Sequence, residues 1–280
     1  MTLVGGDLLV GAPAYRESTR WVVGSIPPDG LLPGGEYWIL ADSGIVGRLL
    51  GDSPREKGHL ARVQFLGTVR DPDRQALTLS RFALPPAPEQ PATAPQVFLI
   101  VGTAAEVGKT TAAINVLRAL RRTGRDKVLA LKATGTCSLT ELHTYEDHGA
   151  FPCLDAIDFG LPTTYPSDRD DIGPLFETML AWSLAQPVNA VLIECGGDIF
   201  GANVPVFLRA LRRRRPDAKV VLVAADTPAA LGARAILDEM GLCPIVVTGP
   251  CTDTPAIQAR TQAHCGIPAI NMARGGGLPF

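Results

Sequence analysis

Gly102-Thr-Ala-Ala-Glu-Val-Gly-Lys-Thr-Thr111 is the stretch that decides the fold of this chain, because it has the pattern of a phosphate-binding P-loop, or Walker A motif. An apolar run of strand composition, 97–101, comes directly before it. Helix-forming residues follow over 110–123, with Gly124 as a stop signal. At such a junction the free backbone N–H groups and the positive end of the helix dipole can hold phosphate oxygens. The sequence therefore predicts a nucleotide phosphate site.

Individual residues of this loop have predictable roles. Lys109 would reach the β- and γ-phosphates, and the Thr110 hydroxyl would coordinate Mg²⁺. Five residues separate Gly102 from Gly108, one more than the usual pattern has. The residues predicted to contact the nucleotide are Gly102, Thr103, Glu106, Val107, Gly108, Lys109, Thr110 and Thr111.

The composition is that of a globular protein with a substantial core. Of the 280 residues, 46% are hydrophobic and 19% are charged, and the formal charge of −2 gives no overall attraction to nucleic acid or anionic membranes. No apolar run approaches the ~20 residues of a membrane span. The six cysteines include no Cys-x-x-Cys pair, which indicates reduced thiols. We therefore expect a cytoplasmic protein with no membrane partner and no nucleic-acid partner.

A proline-rich segment, 85–95, divides the sequence into two parts. It has five prolines in eleven residues, a density that excludes regular helix or central strand and favours an extended linker. Residues 1–84 contain short β-branched and aromatic runs between turn signals, which predict a small all-β domain, a barrel or a sandwich. Residues 96–280 would form the P-loop NTPase domain.

Strand and helix patterns alternate after the linker, which predicts an α/β fold with a doubly wound, mostly parallel sheet. Ligands of such sheets bind at the carboxyl ends of the strands. The predicted strands are 97–101, 127–131, 190–194, 219–224 and 244–248, with a short one at 267–270. The predicted helices are 110–123, 173–186, 204–214, 228–240 and 254–264.

Charged side chains follow several of these strands. Lys132 leaves the second strand and would hold a second anion, either a substrate carboxylate or the transferred phosphoryl group, although a solvated loop lysine is the alternative. Glu194 ends a buried strand before two glycines and is predicted to hold Mg²⁺ or its water, with Asp198 a weaker candidate.

A second pair of carboxylates lies between these two positions. Asp155 and Asp158 are three residues apart, so one helical turn would put both on one face. Such a pair suits Mg²⁺ coordination or deprotonation of an incoming nucleophile. The alternative is a capping role in a loop.

Three of these segments together resemble dethiobiotin synthetase. That family has a P-loop with the same spacing as Gly102–Thr111, a Lys-Pro-x-x-Ser-Gly segment where this chain has 132–135, and Glu-Gly-Ala-Gly-Gly where it has 194–197. The likeness implies a Mg²⁺-ATP enzyme and a homodimer, with Lys132 near substrate and phosphate and Glu194 on Mg²⁺. The chain departs from the family at Ala104, Ala105 and Ala133.

The overall pattern is also similar to a poorly characterised group of P-loop proteins with a fused N-terminal domain. The shared segments are the loop itself, Ala-Thr-Gly-Thr at 133–136, and an Asp-Phe…Leu-Pro…Thr-Tyr segment at 158–165. One branch of that group is linked to N-acylation of an acidic D-amino acid. That likeness implies that the loop could hold a phosphate of coenzyme A.

The favoured function is an ATP-dependent and Mg²⁺-dependent enzyme, similar to dethiobiotin synthetase, that activates or phosphorylates a small carboxylate or amine substrate. Two alternatives stay open: an acyl-CoA-dependent N-acyltransferase, and a nucleotide-dependent switch or maturation factor whose N-terminal domain docks a partner. The predicted catalytic residues are Lys109, Lys132 and Glu194, and the predicted metal ligands are Thr110, Glu194, Asp155 and Asp158.

Overall fold

Two β-sheets organise the chain in the computed structural model, which describes residues 4–17, 22–52, 60–89, 91, 93–166, 170–275 and 278. In its described parts, the N-terminal region forms a sheet with the order β2-β3-β5-β4-β6, and β1 pairs with β5. All pairs are antiparallel except β1 with β5. The bounds are Ala12–Pro13 (β1), Arg16–Glu17 (β2), Val22–Ser25 (β3), Glu36–Ala41 (β4), Ile45–Asp52 (β5) and Arg62–Gln64 (β6).

The N-terminal sheet has a small apolar core. Leu40 and Ile45 are fully buried in it, on either side of the tight turn that joins β4 to β5. Gly44 in that turn has φ +80°, which a residue with a side chain rarely adopts. The β-strand character predicted for this region is confirmed. The turn carries Asp42, which is important for the site described below.

The second sheet is parallel throughout and has the order β12-β11-β7-β10-β8-β9. Its strands are Gln96–Gly102 (β7), Val128–Thr134 (β8), Cys153–Leu154 (β9), Ala190–Cys195 (β10), Lys219–Val223 (β11) and Pro244–Thr248 (β12). The helices are Lys109–Arg122 (α1), Leu139–Asp147 (α2), Gly173–Leu184 (α3), Val204–Arg214 (α4), Thr227–Glu239 (α5) and Pro255–Cys265 (α6).

Helices cover both faces of this sheet, as in a doubly wound fold. Leu99 and Val101 of β7 belong to the core on the side of α3, α4 and α5, whereas Phe98 and Ile100 belong to the core on the side of α1. Successive side chains of a strand point to opposite faces, so a strand buried on both faces is apolar at every position. That requirement explains the continuous apolar runs in the sequence.

The predicted elements of the parallel sheet and its helices are confirmed to within about three residues at either end, with one exception. The predicted strand at 267–270 is wrong, since the chain there forms one isolated bridge between Val247 and Ala269. The sequence prediction also missed α2. Tyr145 is the buried residue of that helix, so α2 lacks the apolar stripe that reveals an amphipathic helix.

The segment before the linker contacts the second unit directly. Residues 79–82 form a 3₁₀ helix, and the Leu84 N–H donates to the Asp158 carbonyl at 2.7 Å. A Cβ on Gly160 would lie 2.8 Å from the Ser80 Cα, so the two backbones touch. The division of the chain at 84 and 95 remains a prediction. Within the described residues, no helix is long and apolar enough to cross a membrane.

We expect Gly232→Ala to stabilise the protein. Gly232 lies inside α5, and a Cβ built there has no atom within 4 Å. Alanine in a helix interior is favoured over glycine by roughly 0.5–1 kcal/mol, because alanine loses less backbone conformational freedom on folding than glycine does. Denaturant unfolding monitored by circular dichroism would show this gain, and a loss of stability would contradict the exposed position of Gly232 in α5.

Candidate functional site

The P-loop joins the carboxyl end of β7 to the first residue of α1. Gly108, which immediately precedes the helix, has φ +97°, and Glu106 also lies in the left-handed region at φ +58°. A Cβ on Gly102 would come within 2.8 Å of the Lys109 Cδ and 2.9 Å of the Val107 Cγ1. The loop is therefore compact, and the lysine side chain folds back against the end of the strand. This is the strand–loop–helix arrangement of a P-loop NTPase.

Lys109 is buried with its ammonium group inside the loop. The side chain is held by two carbonyl oxygens, those of Ala104 and Gly197, each 2.8 Å from Nζ. Burial lowers the pKa of Lys109, and the nearby Glu194 carboxylate opposes that shift. The ammonium group thus lies between the P-loop and the loop after β10, where it can meet phosphate oxygens.

Glu194 faces the start of α1 from the neighbouring strand. It is the penultimate residue of β10, which pairs with β7, and the Thr110 hydroxyl donates to its Oε1 at 3.3 Å. The phenol of Tyr145, on α2, donates to Oε2. Burial raises the pKa of Tyr145 well above its usual value, and the charge on Glu194 adds to the shift. The phenol therefore stays protonated at neutral pH and acts as a hydrogen-bond donor.

Lys132 is the register partner of Glu194 on the adjacent strand β8. Its ammonium group forms an ion pair with Glu141 of α2, and only 6% of the residue is exposed. This burial is inconsistent with the alternative that Lys132 is a solvated loop lysine. The strand pairing shifts between Glu194 and Cys195, an irregularity of the kind that often redirects side chains beside active sites.

Asp155 and Asp158 form a capping box around the 3₁₀ helix of residues 156–159, and Asp155 lines a small pocket together with Lys132. The Asp155 carboxylate accepts from the Ile157 N–H and the Asp158 carboxylate accepts from the Asp155 N–H, both at 2.8 Å. Burial raises the pKa of both carboxyl groups. Neither carboxylate lines the cavity beside Thr110 and Glu194, and their hydrogen bonds are those of the capping alternative. A metal role for this pair stays a prediction.

The loops after β8 and β10 are packed backbone against backbone. A Cβ on Gly196 would lie 2.4 Å from the Thr134 carbonyl oxygen and 3.2 Å from the Gly135 Cα. The Thr164 hydroxyl accepts from the Gly135 N–H at 2.8 Å and donates to the Ala202 carbonyl at 2.7 Å. These contacts fix the two loops that flank Lys132 and Glu194.

An open cavity of about 870 Å³ extends from the P-loop to the N-terminal region. Of the predicted nucleotide residues, Glu106, Gly108, Lys109, Thr110 and Thr111 line it, whereas Gly102, Thr103 and Val107 are not part of the lining. The Thr103 hydroxyl accepts from the Ala225 N–H at 3.1 Å, and Val107 packs in the core. These three residues shape the loop.

Residues of the N-terminal region line the far side of this cavity. They are Arg16, Glu17, Ala41 and Asp42, and the Ser138 hydroxyl donates to the Asp42 carboxylate at 3.3 Å across the two regions. Sequence reasoning missed this wall and the role of Tyr145. No local sequence motif indicates the N-terminal side of the cavity or the contact of Tyr145 with Glu194, because both depend on residues far apart in the chain. Throughout the described ranges, no group of three or more His, Cys, Asp and Glu side chains is placed to hold a metal ion.

Comparisons with known proteins give weak structural likenesses. No protein-family model matches the chain, and no curated protein matches it. Among solved structures, chloroplast FtsY from Physcomitrella patens is 17% identical with a TM-score of 0.40, covering 68% of this chain and 62% of that one. The cell division protein FtsY from Thermotoga maritima is 19% identical with a TM-score of 0.40, and the coverages are 69% and 66%.

FtsY from Mycoplasma mycoides is 13% identical with a TM-score of 0.43, covering 66% of this chain and 62% of its own. The chain thus spans less than two thirds of the length of each of these three proteins. At these TM-scores the likeness carries no argument about nucleotide, substrate or partner. The comparisons do not support membership of the dethiobiotin synthetase family, and the case for a P-loop NTPase rests on the geometry of the loop itself.

Proposed function

We propose that this protein is a Mg²⁺-dependent P-loop enzyme that binds a nucleoside triphosphate and transfers its terminal phosphoryl group to a small acceptor. The observation that carries the proposal is the convergence of three groups at the loop. The Lys109 ammonium group lies inside the loop, and the Thr110 hydroxyl lies 3.3 Å from the Glu194 carboxylate. ATP is the proposed nucleotide, on the strength of the sequence resemblance alone.

The oxygen atoms of Thr110 and Glu194 suit Mg²⁺ as ligands. A hydroxyl and a carboxylate are hard oxygen ligands, and Mg²⁺ commonly takes one or two protein oxygens and completes its shell with water and phosphate. When bound, Mg²⁺ would be held by the Thr110 hydroxyl and the Glu194 carboxylate and would offset the negative charge that develops on the phosphates.

The chain's own groups would position and stabilise the reacting phosphate. The nucleophilic atom of the acceptor forms a bond to the γ-phosphorus, the bond from that phosphorus to the β–γ bridging oxygen breaks, and the acceptor proton passes to solvent. Lys109 and the N–H groups at the start of α1 would neutralise the phosphate oxygens. Lys132, held by Glu141, would attract an anionic group of the acceptor or the phosphoryl group. In such transfers catalysis consists mainly of positioning and charge stabilisation.

The shape of the cavity favours a small-molecule acceptor. The space continues past the P-loop to Arg16, Glu17 and Asp42, so a second molecule would fit between the phosphates and the N-terminal wall. A nucleotide-dependent switch is the second candidate. The hydrogen bond from Ser138 to Asp42 supports it, because this contact links the loop after β8 to the N-terminal region.

We expect Mg²⁺ and nucleoside triphosphate together to stabilise the protein against heat. A ligand that binds the folded state at 100 times its dissociation constant adds about 2.7 kcal/mol, which shifts the melting temperature by several degrees. Thermal-shift measurements with ATP, GTP and acetyl-CoA, each with Mg²⁺ and with EDTA, would test this. Stabilisation by acetyl-CoA in EDTA, with none by either nucleotide, would replace the proposal with the acyltransferase alternative.

Turnover measurements would distinguish a phosphoryl-transfer enzyme from a nucleotide-dependent switch. Phosphoryl transfer predicts that nucleotide consumption rises severalfold with one member of a panel of small carboxylates and amines, with a phosphorylated product visible by mass spectrometry. Slow hydrolysis that no small molecule stimulates would favour the switch.

A further inference from the structure

Helix α2 contacts both Lys132 and Glu194, the charged residues near the carboxyl ends of β8 and β10. Glu141 contacts Lys132 and Tyr145 contacts Glu194, and these two helical residues are four apart. Residues at that spacing lie one above the other on the same face of a helix. Their targets are direct register partners on β8 and β10. One turn of α2 therefore contacts two of the predicted catalytic residues, Lys132 on β8 and Glu194 on β10.

The contact between Tyr145 and Glu194 is buried, at the edge of the cavity that Glu194 lines. Tyr145 is 1% exposed and Glu194 is 3% exposed. A buried carboxylate without hydrogen bonds is costly, and each of its two oxygens needs a donor. Tyr145 supplies one donor and Thr110 supplies the other. The phenol thus fixes the rotation of the carboxylate that faces the start of α1.

We propose that Tyr145 is a positioning residue that holds Glu194 in the orientation in which the second carboxylate oxygen serves the metal beside Thr110. This proposal rests on the proposed function, because it assigns Glu194 to the Mg²⁺ shell. Groups that hydrogen-bond to a metal ligand orient it and tune its basicity, and their loss typically costs about 10–100-fold in metal affinity or activity. Tyr145 itself does not line the cavity in which the nucleotide would bind.

The test is the Mg²⁺ requirement of Tyr145→Phe. Phenylalanine keeps the ring that packs with the α1 core and removes the hydroxyl alone. We expect the Mg²⁺ concentration for half-maximal binding of AMP-PNP or GMP-PNP, measured by calorimetry, to rise about tenfold or more. Affinity for the same analogue in EDTA should change by less than about twofold, because Tyr145 would act only through the metal shell.

Tyr37→Phe is the matched control. Tyr37 is also buried, and its hydroxyl accepts from the Leu32 N–H at 2.8 Å, but it belongs to β4 in the N-terminal sheet. We expect the control variant to keep the wild-type Mg²⁺ requirement. Tyr145→Leu, which keeps an apolar side chain without the ring, should raise the requirement as Tyr145→Phe does.

A double-mutant cycle separates positioning from a merely structural role. In the Glu194→Gln background, Tyr145→Phe should add little, since the group through which it acts is already altered. An unchanged Mg²⁺ requirement in Tyr145→Phe, or a fully additive effect in the double variant, would overturn the role of Tyr145 and leave the proposed function standing. A wild-type protein that binds nucleotide equally well with and without Mg²⁺ would overturn both.

Discussion

We expect Lys109→Ala to lower the proposed affinity for Mg²⁺-ATP by on the order of 100-fold, equivalent to about 2.7 kcal/mol. The ammonium group lies inside the P-loop, within 2.8 Å of the Ala104 and Gly197 carbonyls. In the alanine variant the bound phosphates would lack the positive charge of the ammonium group and would face the Ala104 and Gly197 carbonyl oxygens. Isothermal titration calorimetry on the variant and the wild type would measure the loss.

Lys127→Ala is a control for the loss of one positive charge. Lys127 is exposed and immediately precedes β8, so it lies at the amino end of the sheet, away from the P-loop. Its removal should leave the nucleotide affinity within about twofold of the wild type, as expected for a solvated charge beyond the screening distance of ~8–10 Å. Equal affinity of Lys109→Ala and the wild type would contradict the assignment of the loop to phosphate binding.

Gly196→Ala has the largest expected effect on stability. The new Cβ would lie 2.4 Å from the Thr134 carbonyl oxygen, 3.2 Å from the Gly135 Cα and 3.2 Å from the Lys132 Cε. Two of these neighbours are backbone atoms of a buried strand end, which cannot move aside as a flexible side chain can. Overpacking of this kind costs about 1–3 kcal/mol or more. We expect the melting temperature to fall by roughly 5–10 °C, measured by calorimetry or circular dichroism.

The Gly232→Ala variant described above is the matched comparison, because it adds the same methyl group in open space. The two substitutions should change stability in opposite directions. Gly196→Ala should also weaken nucleotide binding, since the loops after β8 and β10 must separate to admit the methyl group. A Gly196→Ala protein as stable as the wild type would mean that these loops are not packed as closely as the structure has them.

Local patterns predicted most of the parallel sheet. Strands β7, β10, β11 and β12 are buried on both faces, so each is a continuous apolar run that sequence reasoning can recognise. The P-loop was predictable for a similar reason, since its glycines, lysine and threonine are adjacent in the chain. Helix α2 was missed because it buries few side chains and relies on polar contacts.

The Asp155 and Asp158 pair shows that one spacing fits two roles. Asp155 and Asp158 have the separation of a ligand pair, but the same spacing also suits a capping box, and the structure has the cap. Only the three-dimensional path of the loop distinguishes these two roles. Glu194, in contrast, was recognisable because a charged residue at the end of a buried strand needs a partner.

The sequence by itself determined that this chain has a P-loop between a buried strand and a helix, within a doubly wound α/β unit. Those features depend on residues that are neighbours in the chain, so composition and periodicity reveal them. The tertiary structure decided which groups surround the loop. Tyr145 reaches Glu194 across 49 residues, and Ser138 reaches Asp42 across 96. Contacts over such separations depend on how the strands are ordered and packed, which no local pattern encodes.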